Sequence, residues 1–265
     1  MNKREMFLML HLTKKIKRRE KYKYLNINIE EKYFSDLNLE EIKREIKESN
    51  CKYICFFEEN YPKELLELED FPIVIFVKGN ISALARYKIG VIGSRENTEY
   101  GKRVTKNIVE VIDDEVAFVS GMAKGIDTIA LEGSFENKGL PIGVLAYGFN
   151  YCYPKKNKML MHNIEEKGIL VTEYMPTSPP EKWKFVARNR IIAALSKILI
   201  VVEAKERSGT LITVANALEI GREIMVVPGE MDSINHKGTN FLINDGATMI
   251  TSYKDVLDMY KCTKN

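Results

Sequence analysis

Short apolar runs separated by helix-length segments fill the chain from about residue 61 onward. Seven runs are continuous rather than alternating and most are rich in Val and Ile; they are KIGVIGS (88–94), VAFVSG (116–121), PIGVLAYG (141–148), GILVTE (168–173), KILIVVE (197–203), EIMVVPG (223–229) and, weakly, ATMIT (247–251). Runs of this kind are typical of strands buried on both faces of a parallel sheet. Their alternation with helical segments such as residues 98–114 and 208–221 predicts a doubly wound, mostly parallel α/β sheet.

The first 60 residues differ in composition and are rich in Lys and Glu. Leu39, Ile42 and Ile46 have helical spacing there, which predicts an amphipathic helix over residues 38–49. We therefore expect a short, basic, mostly helical N-terminal segment (1–60) followed by an α/β domain (61–265). The basic run KKIKRREKYK (14–23) indicates a solvated helix face, with an auxiliary contact to a polyanion as the alternative.

Composition narrows the class of protein without naming a ligand. The chain has 265 residues, is 45% hydrophobic and carries a formal net charge of +3, so any polyanion site would have to be a local patch. Four cysteines without metal spacing indicate a reducing compartment. No secretory signal is visible, and no apolar stretch approaches the ~20 residues of a membrane helix. We expect a cytoplasmic protein with no membrane contact.

Small, hydroxylated and cationic residues follow several of the predicted strands. Ligands of open parallel sheets bind at the carboxyl ends of the strands, where glycines and helix N-termini expose backbone N–H groups. The residues with these properties are Gly93, Ser94, Arg95, Ser120, Gly121, Lys124, Gly125, Ser208, Gly209 and Thr210, with Arg188 and Arg190 from the segment 182–196. Their pattern predicts a phosphate-binding rim.

Catalytic and cofactor motifs are not found. The sequence has no P-loop and no G-x-G-x-x-G after its first parallel strand, and His11, His162 and His236 lack metal spacing. We expect neither a metal nor a cofactor. Asp127 and Glu203 lie at helix or strand ends and could serve as acid or base. We favour structural roles, in which Asp127 accepts backbone hydrogen bonds at a helix start and Glu203 pairs with a nearby cation.

Seven ordered motifs resemble the DprA/Smf family, the DNA-processing proteins of bacterial transformation. They are YPKELLELEDFPIVIFVKGN (61–80), VIGSRENTEYG (91–101), VSGMAKGIDTIAL (119–131), RNRIIAALS (188–196), SGTLITVANALE (208–219), VVPG (226–229) and KGTNFLINDGA (237–247). The resemblance implies an extended Rossmann-like domain that binds single-stranded DNA, forms homodimers and helps to load the recombinase RecA, in a family not known as an enzyme.

Residue by residue, the resemblance implies a DNA-facing set. Its members are Ser94, Arg95, Ser120, Gly121, Lys124, Arg188 and Arg190, with Ser208 and Gly209 in the same floor. The function it implies is sequence-tolerant binding and protection of single-stranded DNA, with RecA loading, in transformation or recombination. Four aromatic residues are candidates for stacking on bases or for the core: Tyr147, Phe149, Tyr151 and Phe185.

The sequence departs from the family pattern at two positions and leaves other classes open. Asn150 replaces a usual Asp, Val186 replaces a usual Pro, and the N-terminal segment lacks the usual Gly-Ile-Gly turn. We expect no C-terminal winged helix, since the chain ends soon after residues 251–260. The enzyme alternative is a LOG-type nucleoside-monophosphate phosphoribohydrolase, but its Pro-Gly-Gly-x-Gly-Thr turn is replaced by ERSGTLITVANALE, with only Glu219 near. A NAD-dependent oxidoreductase is the third alternative, which the missing glycine fingerprint disfavours.

Overall fold

A single mixed sheet organises the molecule. The computed structural model describes residues 1–27, 29–112, 115–137 and 139–264. The strands of this described part are β1 (Lys52–Cys55), β2 (Val74–Gly79), β3 (Tyr87–Ile92), β4 (Val116–Ser120), β5 (Leu140–Leu145), β6 (Ile169–Thr172), β7 (Ile198–Val201), β8 (Glu223–Val226) and β9 (Thr248–Met249). Their order is β1-β2-β6-β5-β4-β3-β7-β8-β9.

All the pairings from β3 to β9 are parallel, including that of β6 with β5, whereas β2 runs antiparallel to β1 and β6. The mostly parallel, Rossmann-like α/β fold is therefore confirmed. The strand order reverses beside β3, because β4 lies on one side of it and β7 on the other. Such a reversal opens a crevice at the carboxyl ends of the strands.

Helices cover both faces of the sheet. They are α1 (Lys3–Leu12), α2 (Arg18–Lys21), α3 (Leu39–Glu48), α4 (Glu99–Val111), α5 (Ile126–Glu136), α6 (Lys158–Lys167), α7 (Lys182–Leu195), α8 (Gly209–Glu219), α9 (Lys237–Asn244) and α10 (Tyr253–Lys264). Single 3₁₀ turns span Tyr22–Tyr24, Glu31–Phe34, Lys63–Glu67, Ile81–Ala85, Lys155–Asn157 and Ile234–His236. The predicted helices over 38–49, 98–114 and 208–221 correspond to α3, α4 and α8; residues 113 and 114 of the second lie outside the described residues. No helix in the described ranges is long and apolar enough to cross a bilayer.

The N-terminal segment shares a core with the sheet. Phe7, Leu8 and Leu10 of α1 are completely buried, in one apolar cluster with Phe76 and Leu145. Strand β1 also lies before residue 60 and pairs with β2, so the sheet itself extends across the boundary predicted at that residue.

The basic run is less solvated than its composition predicts. Lys21 is 9% exposed, and its Nζ donates a hydrogen bond to the His11 carbonyl at 2.6 Å. Arg18 donates from Nη2 to Glu173 Oε1 at 2.7 Å. The prediction of a solvated face is therefore wrong for Lys21, which is buried, whereas Arg18 remains partly exposed beside its ion pair.

Candidate nucleic-acid interface

The turns that follow β3 and β7 meet at the reversal of strand order, where α7 joins them. They enclose a pocket of about 420 Å³, hereafter the central pocket. Its lining includes seven of the twelve residues predicted for the phosphate rim: Gly93, Ser94, Arg95, Arg188, Ser208, Gly209 and Thr210. Asp127, for which a structural role was predicted, also lines it. Five other predicted rim residues lie outside this lining: Ser120, Gly121, Lys124, Gly125 and Arg190.

The turn after β3 packs directly against the start of α5. The Ile126 N–H donates to the Ser94 carbonyl at 3.2 Å. Gly125, which caps α5, has φ +81°, and a Cβ at this position would collide with the same carbonyl and lie 3.0 Å from Arg95 Cα. Arg95 and Lys124 are both exposed, so the two cations extend from contacting turns on one lip of the sheet.

The N-terminus of α8 completes the pocket from the β7 side. Thr210 Oγ1 donates to the Gly93 carbonyl at 3.3 Å, which ties this helix start to the first turn. Ser208 is the N-cap of α8 but makes no side-chain capping bond, and its Oγ has no hydrogen-bond partner in the described ranges. A Cβ at Gly209 would meet no atom within 4 Å. The first turn of α8 therefore offers backbone donors and a partial positive charge to an anion in the pocket.

Ser120 and Gly121 occupy interior positions rather than the rim. Ser120 is fully buried, and its Oγ donates to the Val91 carbonyl at 2.7 Å. Gly121 has no space for a side chain, because a Cβ would collide with the Arg188 guanidinium. The expectation that their side of the turn contacts a phosphate is thus corrected: both residues let α7 approach the end of β4.

The two arginines of the RNR motif point in different directions. Arg188 Nη1 lies 2.5 Å from the carbonyls of both Gly121 and Val144, at the wall of the central pocket. Arg190 is instead paired with Glu173 at 2.7 Å and Asp70 at 3.1 Å. Residues two apart on a helix do not share a face. The assignment of Arg190 to the DNA-facing set is therefore corrected to a buried ion-pair role.

The two acidic residues near the pocket are held by backbone and hydroxyl groups. Asp127 Oδ2 accepts the Ala123 N–H at 3.3 Å, and burial raises the pKa of this carboxyl while the nearby Arg188 charge opposes the rise. Burial lowers the pKa of Arg188 in turn, with Asp127 opposing. Glu203 is 0% exposed and accepts the Thr98 N–H at 3.1 Å, with His236 Nε2 at 3.6 Å. Glu203 thus anchors the start of α4.

Three side chains at the central pocket were not predicted from the sequence: Glu96, Asn189 and Lys205. Lys205, just beyond β7, lies with its Nζ 2.5 Å from Glu96 Oε2, so the lip carries an exposed ion pair. Asn189 Nδ2 donates to the Gly209 carbonyl at 3.2 Å and joins α7 to α8. The position of Lys205 after a strand end was a usable signal. The pairing with Glu96 depends on contacts between distant turns.

The candidate aromatic residues divide between core and surface. Tyr147 and Phe149 are 1% and 6% exposed, which assigns them to the core. Tyr151 is 39% exposed, and Phe185 lines the central pocket with its ring centroid 6.0 Å from the Arg95 guanidinium carbon. Of the four, Phe185 has the position from which a base bound beside Arg95 would be in reach.

A family model, that of DNA recombination-mediator protein A, matches residues 52–261. The chain belongs to this family. It is 41% identical over 197 residues to the DNA processing protein DprA of Streptococcus pneumoniae, covering 74% of this chain and 70% of that protein. It is 40% identical to DprA of Bacillus subtilis, with 80% and 72% covered, and 38% identical to protein Smf of Escherichia coli, with 76% and 54% covered. The resemblance to DprA/Smf is therefore confirmed.

Solved structures give the same relationship. The X-ray structure of DprA from S. pneumoniae superposes with a TM-score of 0.81 at 36% identity, covering 86% of this chain and 80% of that chain. DNA processing protein A of Helicobacter pylori, a structure described as showing a unique single-stranded DNA binding mode, superposes with a TM-score of 0.74 at 28% identity, covering 81% and 99%. The region matched by the family model, residues 52–261, leaves out α1, α2 and α3.

Proposed function

We propose that this protein binds and protects single-stranded DNA with little sequence preference, and that it loads RecA onto that DNA in transformation or recombination. One observation carries the proposal: Arg95 lines the central pocket with the uncapped start of α8, and Lys124 lies on the turn that contacts the turn of Arg95. Two exposed cations and a helix N-terminus suit phosphates, which every sequence presents alike. The single-stranded DNA binding described for the H. pylori relative supports the same ligand.

The exposed apolar side chains near β9 support the proposal of a homodimer. Met231, Ile234, Phe241 and Met249 are 88%, 65%, 59% and 44% exposed, and they belong to the segment that carries α9 and the edge strand β9. An apolar surface beside an open sheet edge is suited to burial against another copy. We place this activity in the cytoplasm, where RecA and incoming DNA would be met.

We infer a binding rather than a catalytic role. Glu203, the carboxylate that a phosphoribohydrolase reaction would use, is fully buried and is engaged by Thr98. A general base must reach the proton that it removes. Incubation with AMP should release no free base, and release abolished by Glu203→Gln would revive the enzyme alternative.

The decisive experiment is a salt titration of binding to oligothymidylate. Affinity should fall steeply with salt, because bound DNA releases counterions. Arg95→Ala should weaken binding and flatten the slope of log K against log salt by about one unit. Arg86→Ala is the matched control, since this exposed arginine precedes β3 and lies at the opposite edge of the sheet. Absent or salt-independent binding would overturn the proposal. RecA filament formation on DNA coated with the protein tests the loading step.

A further inference from the structure

A second groove lies beside the central pocket, on the other side of the first turns of α7. It is a cavity of about 810 Å³ between the N-terminal segment and residues 173–184, hereafter the N-terminal groove. Trp183 and Lys184 line this groove, whereas the next two residues, Phe185 and Val186, line the central pocket. The start of α7 is thus the common wall of the two cavities.

Two exposed apolar side chains connect the cavities across this wall. Trp183 and Val186 are 56% and 51% exposed. Residues three apart on a helix are surface neighbours, with Cβ atoms about 5–6 Å apart. The pair therefore forms a continuous apolar ridge, hereafter the α7 ridge, that leads from the central pocket to the groove. Trp183 is the single tryptophan of the chain, and its ring lies 6.0 Å from that of Tyr174 in an edge-to-face contact.

The groove is electrostatically suited to a polyanion. Four cationic side chains line it, against three carboxylates. Each carboxylate is bound by a protein donor: Glu45 by the Thr177 N–H, Glu173 by Arg18 and Glu181 by Lys184. Lys14 is exposed at the groove. Arg18 and Lys184 are engaged in these ion pairs and Lys21 bonds to the His11 carbonyl, so Lys14 is the lining cation that remains exposed to a passing phosphate.

The groove also contains an unused polar group. The Tyr174 hydroxyl is buried and has no hydrogen-bond partner in the part of the chain that the structure describes. A phenolic hydroxyl can donate or accept. A stacking surface next to a cation is the combination found in sequence-tolerant single-strand sites.

We propose that a DNA strand leaving the central pocket crosses the α7 ridge and stacks a base on Trp183, with the adjoining phosphate near Lys14 in the N-terminal groove. This inference rests on the proposed function, and it assigns DNA contacts to a segment that lies outside the family match. Short strands would fill only the central pocket. Longer strands would gain the contact with Trp183.

The test uses oligothymidylates of about 4 and about 16 nucleotides, which bracket the usual span of such sites. Each is titrated into the full chain while intrinsic tryptophan fluorescence and the anisotropy of a labelled oligonucleotide are recorded. The long strand should quench Trp183, and the short strand should bind without quenching. Trp183→Ala should weaken binding of the long strand by about 5- to 150-fold, as expected for one stacked base, and leave the short strand unaffected.

Trp183→Phe, followed by anisotropy, should restore most of the affinity because a ring remains. Leu218→Ala, which removes an exposed apolar side chain in the last turn of α8, at the end of that helix away from the central pocket, is the control and should leave both affinities unchanged. Binding of the long strand without quenching, and without loss in Trp183→Ala, would overturn the inference alone. Failure of both strands to bind would overturn the proposed function as well.

Discussion

The carbonyl of Ser94 accepts the N–H of Ile126 at 3.2 Å, which fastens the turn after β3 to the first residue of α5. This bond requires two main-chain segments to approach closely, and Gly125, with φ +81°, lies where they meet. The relative position of Arg95 and Lys124 follows from it, because each cation belongs to one of the two fastened turns.

Gly125→Ala should therefore destabilise the protein and weaken DNA binding together. The new Cβ would collide with the Ser94 carbonyl in a backbone conformation that disfavours side chains. We expect a loss of about 1–3 kcal/mol in the free energy of unfolding, measured by urea denaturation. Gly209→Ala is the matched control, since its Cβ would meet nothing within 4 Å, and it should be neutral or slightly stabilising. Equal losses in the two variants would contradict this account.

Arg190→Ala should lower stability without changing the salt dependence of DNA binding. It removes one of the guanidinium partners of the buried Glu173, and loss of a partner from a buried ion pair costs about 3 kcal/mol or more. Urea denaturation measures the loss, and the oligothymidylate titration should retain its wild-type slope. A slope flattened by about one unit, as expected for Arg95→Ala, would return Arg190 to the DNA-facing surface.

Glu96→Gln should strengthen DNA binding. The carboxylate holds the Lys205 ammonium at 2.5 Å on the lip of the central pocket, and this ion pair lowers the pKa of Glu96. Removing the charge frees Lys205 for a phosphate and should raise affinity about two- to fivefold at low salt. Glu115→Gln removes a similar partner from Lys264 at the opposite edge of the sheet and serves as the control. Unchanged affinity in Glu96→Gln would place Lys205 outside the binding surface.

Mild acid should lower the contribution of His11 to the stability of the junction between α1 and the sheet. Burial, reinforced by the charges of Lys21 and Arg18, lowers the pKa of His11 from 6.5 to about 3. The unfolded chain therefore takes up a proton at His11 that the folded chain does not, and the contribution of His11 to stability falls as the pH drops from about 6.5 towards about 3. Glu173, whose carbonyl accepts a hydrogen bond from His11 Nε2, acts in the opposite direction, because burial raises the pKa of its carboxyl to about 7. Between pH 7 and pH 5 the loss from His11 should be about 2 kcal/mol. His11→Gln should show a correspondingly smaller loss in urea denaturation at the two pH values; an identical loss would contradict the assignment.

The parallel part of the fold was predictable because each strand is a continuous apolar run. β1 and β2 were missed for a physical reason. Lys52–Cys55 is too short to establish a period, and the antiparallel pairing of β2 with β6 joins residues almost a hundred positions apart. Local patterning indicates which residues prefer an extended chain, but it does not identify the strand with which each one pairs.

The location of the site could be predicted from the sequence, but the orientation of its side chains could be predicted less well. Arg95, Ser208 and Thr210 come together because strand ends meet at one edge of the sheet. Ser120 turned out to face inward, since the orientation of a strand's last side chain depends on register. The separation of Arg188 from Arg190 was available in the sequence, because two helical residues at that spacing point about 200° apart.

The burial of α1 gives the molecule two different boundaries. The family match begins at residue 52, yet Phe7 and Leu8 fill the same cluster as Phe76 and Leu170, which lie inside the matched region. Trimming the chain to residues 52–261 would expose an apolar face of the sheet to water and favour self-association. In this protein the stretch that defines the family is therefore smaller than the stretch that must fold together.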